Sequence, residues 1–419
     1  MVRWELAILE RSEENGLFIR GKRIQSHRLI EQNMANSNLT NAKRAKNDEF
    51  YTQFGDIQKE IEAYLEYDTD AFRGKVVYCN CDDPFESNFF RYFVLNFNKL
   101  GLKQLITTSY KPSPVANTQL ELFGDDKTLI KSKGRPKINA NKFIINEVHD
   151  IDGDGEFNLK DVAKQLKSNK HNEWTPLEGD GDFRSDECIN LLRQSDIVVT
   201  NPPFSLYRKY VEQLTKYNKK FVVIGSKNTI TYKEIFLLIK DNKMWVGTTS
   251  FNKDMLFIAP SNADLSNKPK TAIRKVEGIT YLRSPSVWFT NLDHGRRHQP
   301  LPLMTMEENL KYSKHKEIKG KNAYDKYDNY DAIEVPFTDA IPSDYDGVMA
   351  VPISFLDKYS PEQFEILGIT QRNDDPYKIK KYTTADYPNA NDLNARGVII
   401  INNKPKAMYA RVLVKHKKK

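Results

Sequence analysis

The residues best suited to chemistry in this chain are four consecutive ones, Asn201, Pro202, Pro203 and Phe204. An exocyclic amino group such as that of adenine is a poor nucleophile, because its lone pair is delocalised into the ring. The Asn201 side-chain oxygen and the Pro202 carbonyl can accept both N–H bonds, which turns the lone pair toward an electrophile. Phe204 offers a flat face for stacking, and proline fixes the backbone that aims the carbonyl. The group therefore suits amino methylation.

A buried strand must position this turn. Residues 197–200 are β-branched and mostly apolar, which is typical of such a strand. The two prolines end the strand, because they cannot continue a hydrogen-bonded ladder. The turn then follows the C-terminal end of a strand, where open α/β sheets bind their ligands. The alternative is that Asn-Pro-Pro only terminates the strand, as Asn-Pro pairs often do.

Strands and helices alternate from residue 75 to residue 245, which predicts a parallel α/β sheet. The first strand ends in an acidic turn that contains Asp82 and Asp83. A helical pattern at residues 87–100 and a second strand at residues 105–110 complete a βαβ unit. The glycine-rich fingerprint of dinucleotide folds is missing. The acidic turn instead suits a cationic or hydroxyl-bearing ligand.

Composition indicates a cytoplasmic protein with a sizeable core. The 419 residues are 39% hydrophobic and 29% charged, and the net charge of +8 is compatible with a polyanionic partner. No apolar run approaches the length that spans a bilayer, and the N-terminus carries no cleavable apolar segment. Cys79, Cys81 and Cys188 lack the spacing of metal ligands and are expected to be buried thiols. The basic end, residues 415–419, is expected to be a disordered tail.

Two charged loops allow more than one interpretation. Residues 150–161 match a calcium-binding loop at positions 1, 3, 5 and 6. A strand rather than a helix precedes them, which favours a solvated acidic turn, so no metal site is predicted, although weak calcium or magnesium binding stays open. Residues 293–298 include Arg296 and Arg297, which suit contacts to phosphate. A solvated charged loop explains them equally well.

Five blocks of this sequence, in order, resemble the EcoRI-type family of DNA adenine-N6 methyltransferases. The resemblance runs from about residue 36 to the C-terminus, and its blocks are residues 45–53, 76–84, 196–204, 288–292 and 347–352. It implies an α/β fold, a Rossmann-like sheet that binds S-adenosylmethionine, with a C-terminal target-recognition region. The implied parts are an N-terminal extension (1–36), a catalytic domain (37–300) with an insertion at about 111–175, and a recognition region (301–419).

The resemblance also implies roles for individual residues. The four residues 201–204 match the tetrad that grips a flipped adenine. Contacts to S-adenosylmethionine are implied for Asp82 and Asp83 after the first strand, for Asp182 and Phe183 at the cofactor's adenine, and for Phe50, Tyr51 and Thr52 at its methionine end. Trp288 and Phe289 match a second aromatic wall for the extruded base.

The function expected from the resemblance is site-specific methylation of adenine N6 in double-stranded DNA by a monomer. A restriction-modification or phage-protection system is its expected setting, with any cognate restriction endonuclease acting independently. Cytosine N4, RNA adenine or a protein glutamine amide are alternative substrates, but the long C-terminal region with Arg296 and Arg297 favours duplex DNA. A non-enzymatic DNA-binding protein is a further alternative. The presence of Asn201 together with Asp182 and Phe183 argues against it.

Overall fold

The computed structural model describes residues 50–81, 87–110, 140–151, 159–168, 171–259, 263, 265, 266, 268–371, 376–385 and 387–418. The predicted N-terminal extension, Asp82, Asp83 and residues 152–158 of the calcium-like loop lie outside these ranges. Residues Phe50–Lys419 form one compact unit.

Strands and helices are numbered in chain order within the described residues. The strands are β1 Tyr51–Thr52, β2 Val76–Cys79, β3 Gln104–Thr108, β4 Asn141–Ile145, β5 Glu173–Pro176, β6 Ile197–Thr200, β7 Lys220–Ser226, β8 Trp245–Val246, β9 Met255–Ile258, β10 Ile273–Val276, β11 Ile279–Ser284, β12 Ser286–Thr290, β13 Ile333–Glu334, β14 Met349–Pro352, β15 Phe364–Ile369, β16 Val398–Ile401, β17 Lys404–Ala407 and β18 Arg411–His416. The α-helices are α1 Phe54–Tyr67, α2 Asn88–Leu95, α3 Phe97–Leu100, α4 Leu159–Ser168, α5 Asp186–Gln194, α6 Tyr207–Lys216, α7 Lys233–Lys240, α8 Met306–Tyr312 and α9 Ala390–Asn394.

The main sheet has eight strands in the order β5-β4-β3-β2-β6-β7-β12-β8. Its four central strands, β3, β2, β6 and β7, are parallel. The flanking strands β4, β5, β12 and β8 pair antiparallel with their neighbours. The fold is therefore mixed α/β, and the prediction of a parallel sheet is confirmed only for its centre. The C-terminal ends of the four central strands meet at one edge, which is where the candidate site lies.

Local sequence explains the elements beside that edge. All four residues of β6 are buried, as its β-branched run predicts. The preceding helix α5 begins after Ser185, whose side chain accepts a hydrogen bond from the Cys188 backbone N–H. Ser87 caps α2 in the same way by accepting from the N–H groups of Phe89 and Phe90. These caps fix where each helix starts above the sheet.

A second sheet lies beside the first and has the antiparallel order β1-β9-β11-β10. Its strand β1 contains Tyr51 and Thr52 of the predicted cofactor motif. Strands β10 and β11 form a hairpin through a two-residue turn at Glu277 and Gly278, whose φ angles are 50° and 82°. Two consecutive residues of positive φ are typical of the tight turns that join twisted strands.

The C-terminal part contributes a sheet of order β13-β14-β18-β15 and the hairpin β16–β17. One hydrophobic cluster contains both Val198 and Phe289 of the main sheet and Val351 and Phe364 of the C-terminal sheet. The core is thus continuous across the predicted boundary at residue 300. The prediction of a disordered tail is wrong for Lys415 and His416, because both belong to β18. No α-helix in the described ranges is long and apolar enough to cross a membrane.

Candidate active site

Asn201 follows β6 directly and uses its two polar side-chain atoms differently. Its Nδ2 donates a hydrogen bond to the Phe50 carbonyl, with an N–O distance of 3.2 Å. Only the amide nitrogen can donate to a carbonyl, so this bond fixes which way the side-chain amide points. The Oδ1 atom is buried and has no hydrogen-bond partner in the described part of the chain. A buried acceptor left without a partner is costly, and it marks a place for a ligand donor.

The two prolines after Asn201 hold the backbone of the turn. Both are buried. The Pro203 carbonyl accepts the Leu206 N–H at 3.0 Å, which begins the single 3-10 turn Phe204–Leu206. Within the described residues the Pro202 carbonyl accepts no hydrogen bond. The turn therefore presents two adjacent acceptors, the Asn201 Oδ1 and the Pro202 carbonyl.

Phe204 brings the predicted cofactor motif next to the turn. Its half-buried ring packs edge-on against Phe257, with ring centroids 6.5 Å apart. In the second sheet Phe257 pairs with Thr52, so strand β1 lies beside Phe204. The Thr52 carbonyl accepts a 2.7 Å hydrogen bond from Asn88 Nδ2, which ties β1 to helix α2. The structure thus places residues 50–52 beside the turn at Asn201; their contact with a cofactor stays a prediction.

Asn80 joins the ends of two parallel strands. It follows β2 and is 2% exposed. Thr200, the last residue of β6, donates its hydroxyl to the Asn80 carbonyl, and Tyr210 of α6 donates to the Asn80 side-chain oxygen. Burial raises the pKa of Tyr210 well above its ordinary value, so the hydroxyl keeps its proton and remains a donor. The turn that carries Asp82 and Asp83 therefore starts beside the candidate catalytic turn.

The loop with Asp182 and Phe183 packs against the end of β3. A Cβ on Gly181 would lie 1.9 Å from the Ser109 carbonyl oxygen, and the φ of this residue is +79°, so only glycine fits. Phe183 is 3% exposed, and its ring contacts the Tyr210 ring edge-on at 5.0 Å. Asp182 thus lies at the same sheet edge as Asn80 and Asn201, and its contact with a cofactor stays a prediction.

The Arg184 side chain donates two hydrogen bonds to the Asp182 carboxylate, of 2.9 Å from Nε and 2.5 Å from Nη2, and the Arg184 backbone N–H donates a third of 2.9 Å. Burial alone would raise the pKa of Asp182, but the hydrogen bonds and charge of Arg184 outweigh it and lower that pKa. Asp182 is therefore an ionised acceptor. A hydrogen-bond donor on a ligand would bind this carboxylate together with the Arg184 guanidinium.

Trp288 and Phe289 lie inside the fold. Both side chains are 0% exposed. As neighbours on β12 they point to opposite faces, where Trp288 contacts Phe89 at 6.0 Å and Phe289 contacts Tyr207 at 5.8 Å. The predicted contact of these rings with an extruded base stays untested, and their burial does not favour it.

Arg297 is engaged within the protein. It is 6% exposed, and its guanidinium stacks 3.8 Å above the Trp245 ring. It also hydrogen-bonds the side chains of Asp293 and Asn242. Arg297 would have to give up some of these contacts to bind a DNA phosphate, as the sequence predicted.

Arg296 is more open but also has partners. Its Nη1 donates to the Thr248 carbonyl, and its Nη2 lies 3.7 Å from the buried Asp357 carboxylate. About a third of the Arg296 side chain is exposed. Of the two predicted phosphate contacts, Arg296 is the one that this geometry leaves accessible.

No group of three or more histidine, cysteine, aspartate or glutamate side chains in the described ranges is arranged to hold a metal ion. Of the calcium-like loop, the described Asp161 is fully buried and accepts the Ile151 backbone N–H at 3.0 Å. The expectation of a solvated turn does not hold for Asp161.

Comparison with known proteins decides the family. The family model described as "Adenine-specific methyltransferase EcoRI" matches residues 38–417. The chain belongs to this family. It is a DNA adenine methyltransferase.

Named relatives of this EcoRI-type methyltransferase cover nearly the whole chain. Type II methyltransferase M.EcoRI of Escherichia coli is 40% identical over 389 residues, 92% of this chain and 98% of that protein. Type II methyltransferase M.MpnI of Mycoplasma pneumoniae is 35% identical over 378 residues, 90% and 97% of the two chains. Type II methyltransferase M.MgeORF184P of Mycoplasma genitalium is 35% identical over 386 residues, 89% and 97%. No solved structure matches.

Three residues that build the candidate site of this EcoRI-type methyltransferase could not be recognised from the sequence alone. Asn80 lies in the family-like block of residues 76–84, but in that block only Asp82 and Asp83 have side chains that suggest contact with a cofactor. Tyr210 and Phe257 carry no motif, and an aromatic residue in a helix or strand is typical of core packing. Only the pairing of distant segments shows that they support Phe183 and Phe204.

Proposed function

We propose that this methyltransferase moves the methyl group of S-adenosylmethionine to N6 of an adenine flipped out of duplex DNA, and that the turn at residues 201–204 holds that adenine. The observation that carries the proposal is the buried, unpartnered Oδ1 of Asn201 beside the free Pro202 carbonyl. Two adjacent acceptors match the two N–H bonds of one amino group. The β6 strand and the prolines hold both acceptors rigidly.

The amino group is activated by the geometry of these two hydrogen bonds. When Asn201 Oδ1 and the Pro202 carbonyl each accept one N–H, the nitrogen becomes tetrahedral and its lone pair projects away from the ring. A bond then forms between N6 and the methyl carbon while the carbon–sulfur bond breaks, and one N–H proton leaves to solvent. No strong base is needed, because the amino group becomes acidic only as the new bond forms.

The cofactor supplies a methyl group made electrophilic by the sulfonium. We assign its adenine end to Asp182 and Phe183, and its methionine end to the segment 50–52, with Asp82 and Asp83 at the turn after β2. The described members of this set, Asp182, Phe183 and residues 50–52, lie at the edge where β2, β3 and β6 end. Asp182 fits the role of acceptor, because Arg184 keeps its carboxylate ionised. The parallel centre of the sheet supports a Rossmann-like arrangement with ligands at this edge.

Flipping the adenine costs a few kcal/mol of stacking and pairing. Stacking on the accessible part of Phe204 returns about 1–3 kcal/mol of that cost. Phe257 supports the ring from its edge, which keeps the Phe204 side chain in place. The cost and the return are similar in size, so further contacts to the duplex are required.

We assign target recognition to residues 301–419, together with accessible Arg296. The positive net charge of +8 supports a DNA partner. The relatives are named type II methyltransferases, and we place this protein likewise in a restriction-modification system, acting as a monomer and independently of a restriction endonuclease.

Asn201→Ala tests the proposal. Because it removes one acceptor and leaves the cofactor residues, we expect methyl transfer to fall by at least about 100-fold, comparable to losing one preorganised polar group in other active sites. The affinity for S-adenosylmethionine, measured by calorimetry, should stay within about twofold. Asn190→Ala, at an exposed position of α5, is the matched control. A variant that methylates DNA at the unchanged rate would remove the turn from the mechanism.

A further inference from the structure

The β10–β11 hairpin is a surface feature that the proposed function does not yet use. It extends the second sheet beyond β9, since only the last four residues of β11 pair with β9. The outer residues of the ribbon, 274–279, are all exposed. A two-stranded ribbon whose outer residues are exposed within the described part of the chain is available to a partner.

The ribbon and its entry segment are strongly basic. Residues 268–284 contain five basic side chains and one acidic one, Glu277. Arg283 is paired with Asp254 at 3.0 Å. Arg274 and Lys275 are exposed and form no ion pair or hydrogen bond with other described residues. A pair of unneutralised cations on a projecting ribbon suits a polyanion.

Strand register places Lys275 on the face of the sheet that looks toward the active site. Leu282 pairs with Phe257, so the two side chains share one face. Thr280 lies two residues before Leu282 on the same strand and therefore points the same way, and Lys275 pairs with Thr280. Phe257 on this face contacts Phe204. Lys275 thus lies on the same face as Phe257, on the outermost strand of the sheet whose strand β9 contacts Phe204.

The tip of the ribbon is apolar. Val276 and Ile279 form its last cross-strand pair and are 38% and 43% exposed. The tight turn at Glu277 and Gly278 keeps the tip narrow. An apolar pair flanked by cations matches a DNA groove, where base edges and sugars offer apolar contacts between two rows of phosphates. The major groove admits a two-stranded β-ribbon.

We propose that the β10–β11 hairpin is a DNA-contacting arm that enters a groove beside the flipped adenine, with Arg274 and Lys275 contacting backbone phosphates. The inference rests on the proposed function, because it needs duplex DNA at the turn containing Asn201. It adds a contact from the catalytic part of the chain to those assigned to residues 301–419. A second copy of this chain is disfavoured as the partner, because two basic ribbons repel each other.

The double variant Arg274→Ala/Lys275→Ala tests the arm. The probe is a duplex DNA fragment that the unchanged protein methylates, and its Kd is measured by fluorescence anisotropy over a range of salt concentrations. Loss of two phosphate contacts should weaken binding by about tenfold or more at about 0.1 M salt and reduce the slope of log K against log salt by about 1.8. The affinity for S-adenosylmethionine should not change, because the ribbon lies outside the residues assigned to the cofactor.

The matched control is Lys75→Ala/Lys103→Ala. These exposed lysines precede β2 and β3, at the sheet edge opposite Asn201, and their removal changes the net charge equally. If both double variants bind DNA alike, the arm is overturned and the proposed function stands. If the unchanged protein neither binds nor methylates any duplex, the proposed function itself fails.

Discussion

We assign the Asn201 side chain a part in both the fold and the chemistry. Its amide nitrogen donates to the Phe50 carbonyl, which orients the group, and its oxygen has no hydrogen-bond partner among the described residues. The same bond connects the turn to the segment assigned to the cofactor. Movement of residues 50–52 on cofactor binding would therefore act directly on the acceptor that holds the adenine.

Arg184 lowers the pKa of Asp182, so we expect Arg184 to determine how the affinity for S-adenosylmethionine depends on pH. In the unchanged protein the pKa of Asp182 lies below its ordinary value of 3.8, so the carboxylate stays ionised as pH falls from about 7 to about 5. In Arg184→Gln the guanidinium hydrogen bonds and charge are lost, and only the backbone N–H of residue 184 and the charge of Lys209 still oppose burial, so that pKa rises. We expect cofactor affinity in the variant to fall about three- to tenfold between these pH values, and to stay constant in the unchanged protein.

Calorimetric titration with S-adenosylmethionine at each pH measures this effect. Arg73→Gln is the control, because it removes a comparable arginine–aspartate pair with Asp70 on a solvent-exposed turn. If the affinity of Arg184→Gln does not depend on pH, Asp182 is not the acceptor for the cofactor.

Individual residues could be predicted from the sequence where the chemistry allows only a few residue types. Two prolines cannot continue a hydrogen-bonded ladder, so the turn after β6 could be predicted from the sequence. The supporting contacts could not, since Asn80, Tyr210 and Phe257 act through distant partners. The burial of Trp288 and Phe289 could not be predicted either, because two adjacent aromatic residues are typical both of a base-binding pocket and of a hydrophobic core.

The buried carboxylate of Glu60 connects helix α1 to Thr248, which lies just after β8 of the main sheet. Glu60 is 1% exposed and accepts hydrogen bonds from the Tyr64 hydroxyl at 2.8 Å and from the Thr248 N–H at 2.9 Å. The Thr248 hydroxyl donates a third bond of 2.6 Å. Gly247 is required here, because a Cβ would lie 2.1 Å from the Glu60 oxygen. The helix directly follows residues 50–52, so this tie also supports the site.

Glu60→Ala should therefore destabilise the protein. It leaves the half-buried Thr248 N–H and hydroxyl without their acceptor, which costs about 1–3 kcal/mol in the free energy of unfolding. Urea unfolding monitored by fluorescence measures the change. Glu66→Ala, at an exposed position on the same helix, should shift stability by no more than about 0.5 kcal/mol. Equal stability of the two variants would show that the Glu60 contacts contribute nothing.

Elements with strong local patterns were predictable, and those that depend on distant pairing were not. The predicted strand at residues 197–200 is confirmed as β6, and the helical pattern at residues 87–100 is confirmed as α2 and α3. The second sheet was not predicted, because β1 has only two residues and pairs with a strand about two hundred positions later. The antiparallel edges were missed for the same reason, since strand direction depends on long-range connections.

For the whole molecule, a continuous core unites the part that carries Asn201 with the part assigned to recognition. The sequence could suggest separate functions for the two parts, but it could not show that their cores are joined, because that depends on contacts between distant residues. A shared core holds the two parts in a fixed relation. The DNA contacts assigned to residues 301–419 and to the β10–β11 hairpin can then position the duplex against the turn at residues 201–204.

The central claim, methylation of adenine N6 in duplex DNA, is tested most directly by identifying the product. Purified protein is incubated with duplex DNA and S-adenosylmethionine carrying a labelled methyl group, and the DNA is digested to nucleosides and separated. We predict that all label in the DNA appears as N6-methyl-deoxyadenosine, and that Asn201→Ala incorporates none above background. Label in N4-methyl-deoxycytidine would contradict this function. So would DNA that stays unlabelled although the protein transfers methyl groups to another substrate.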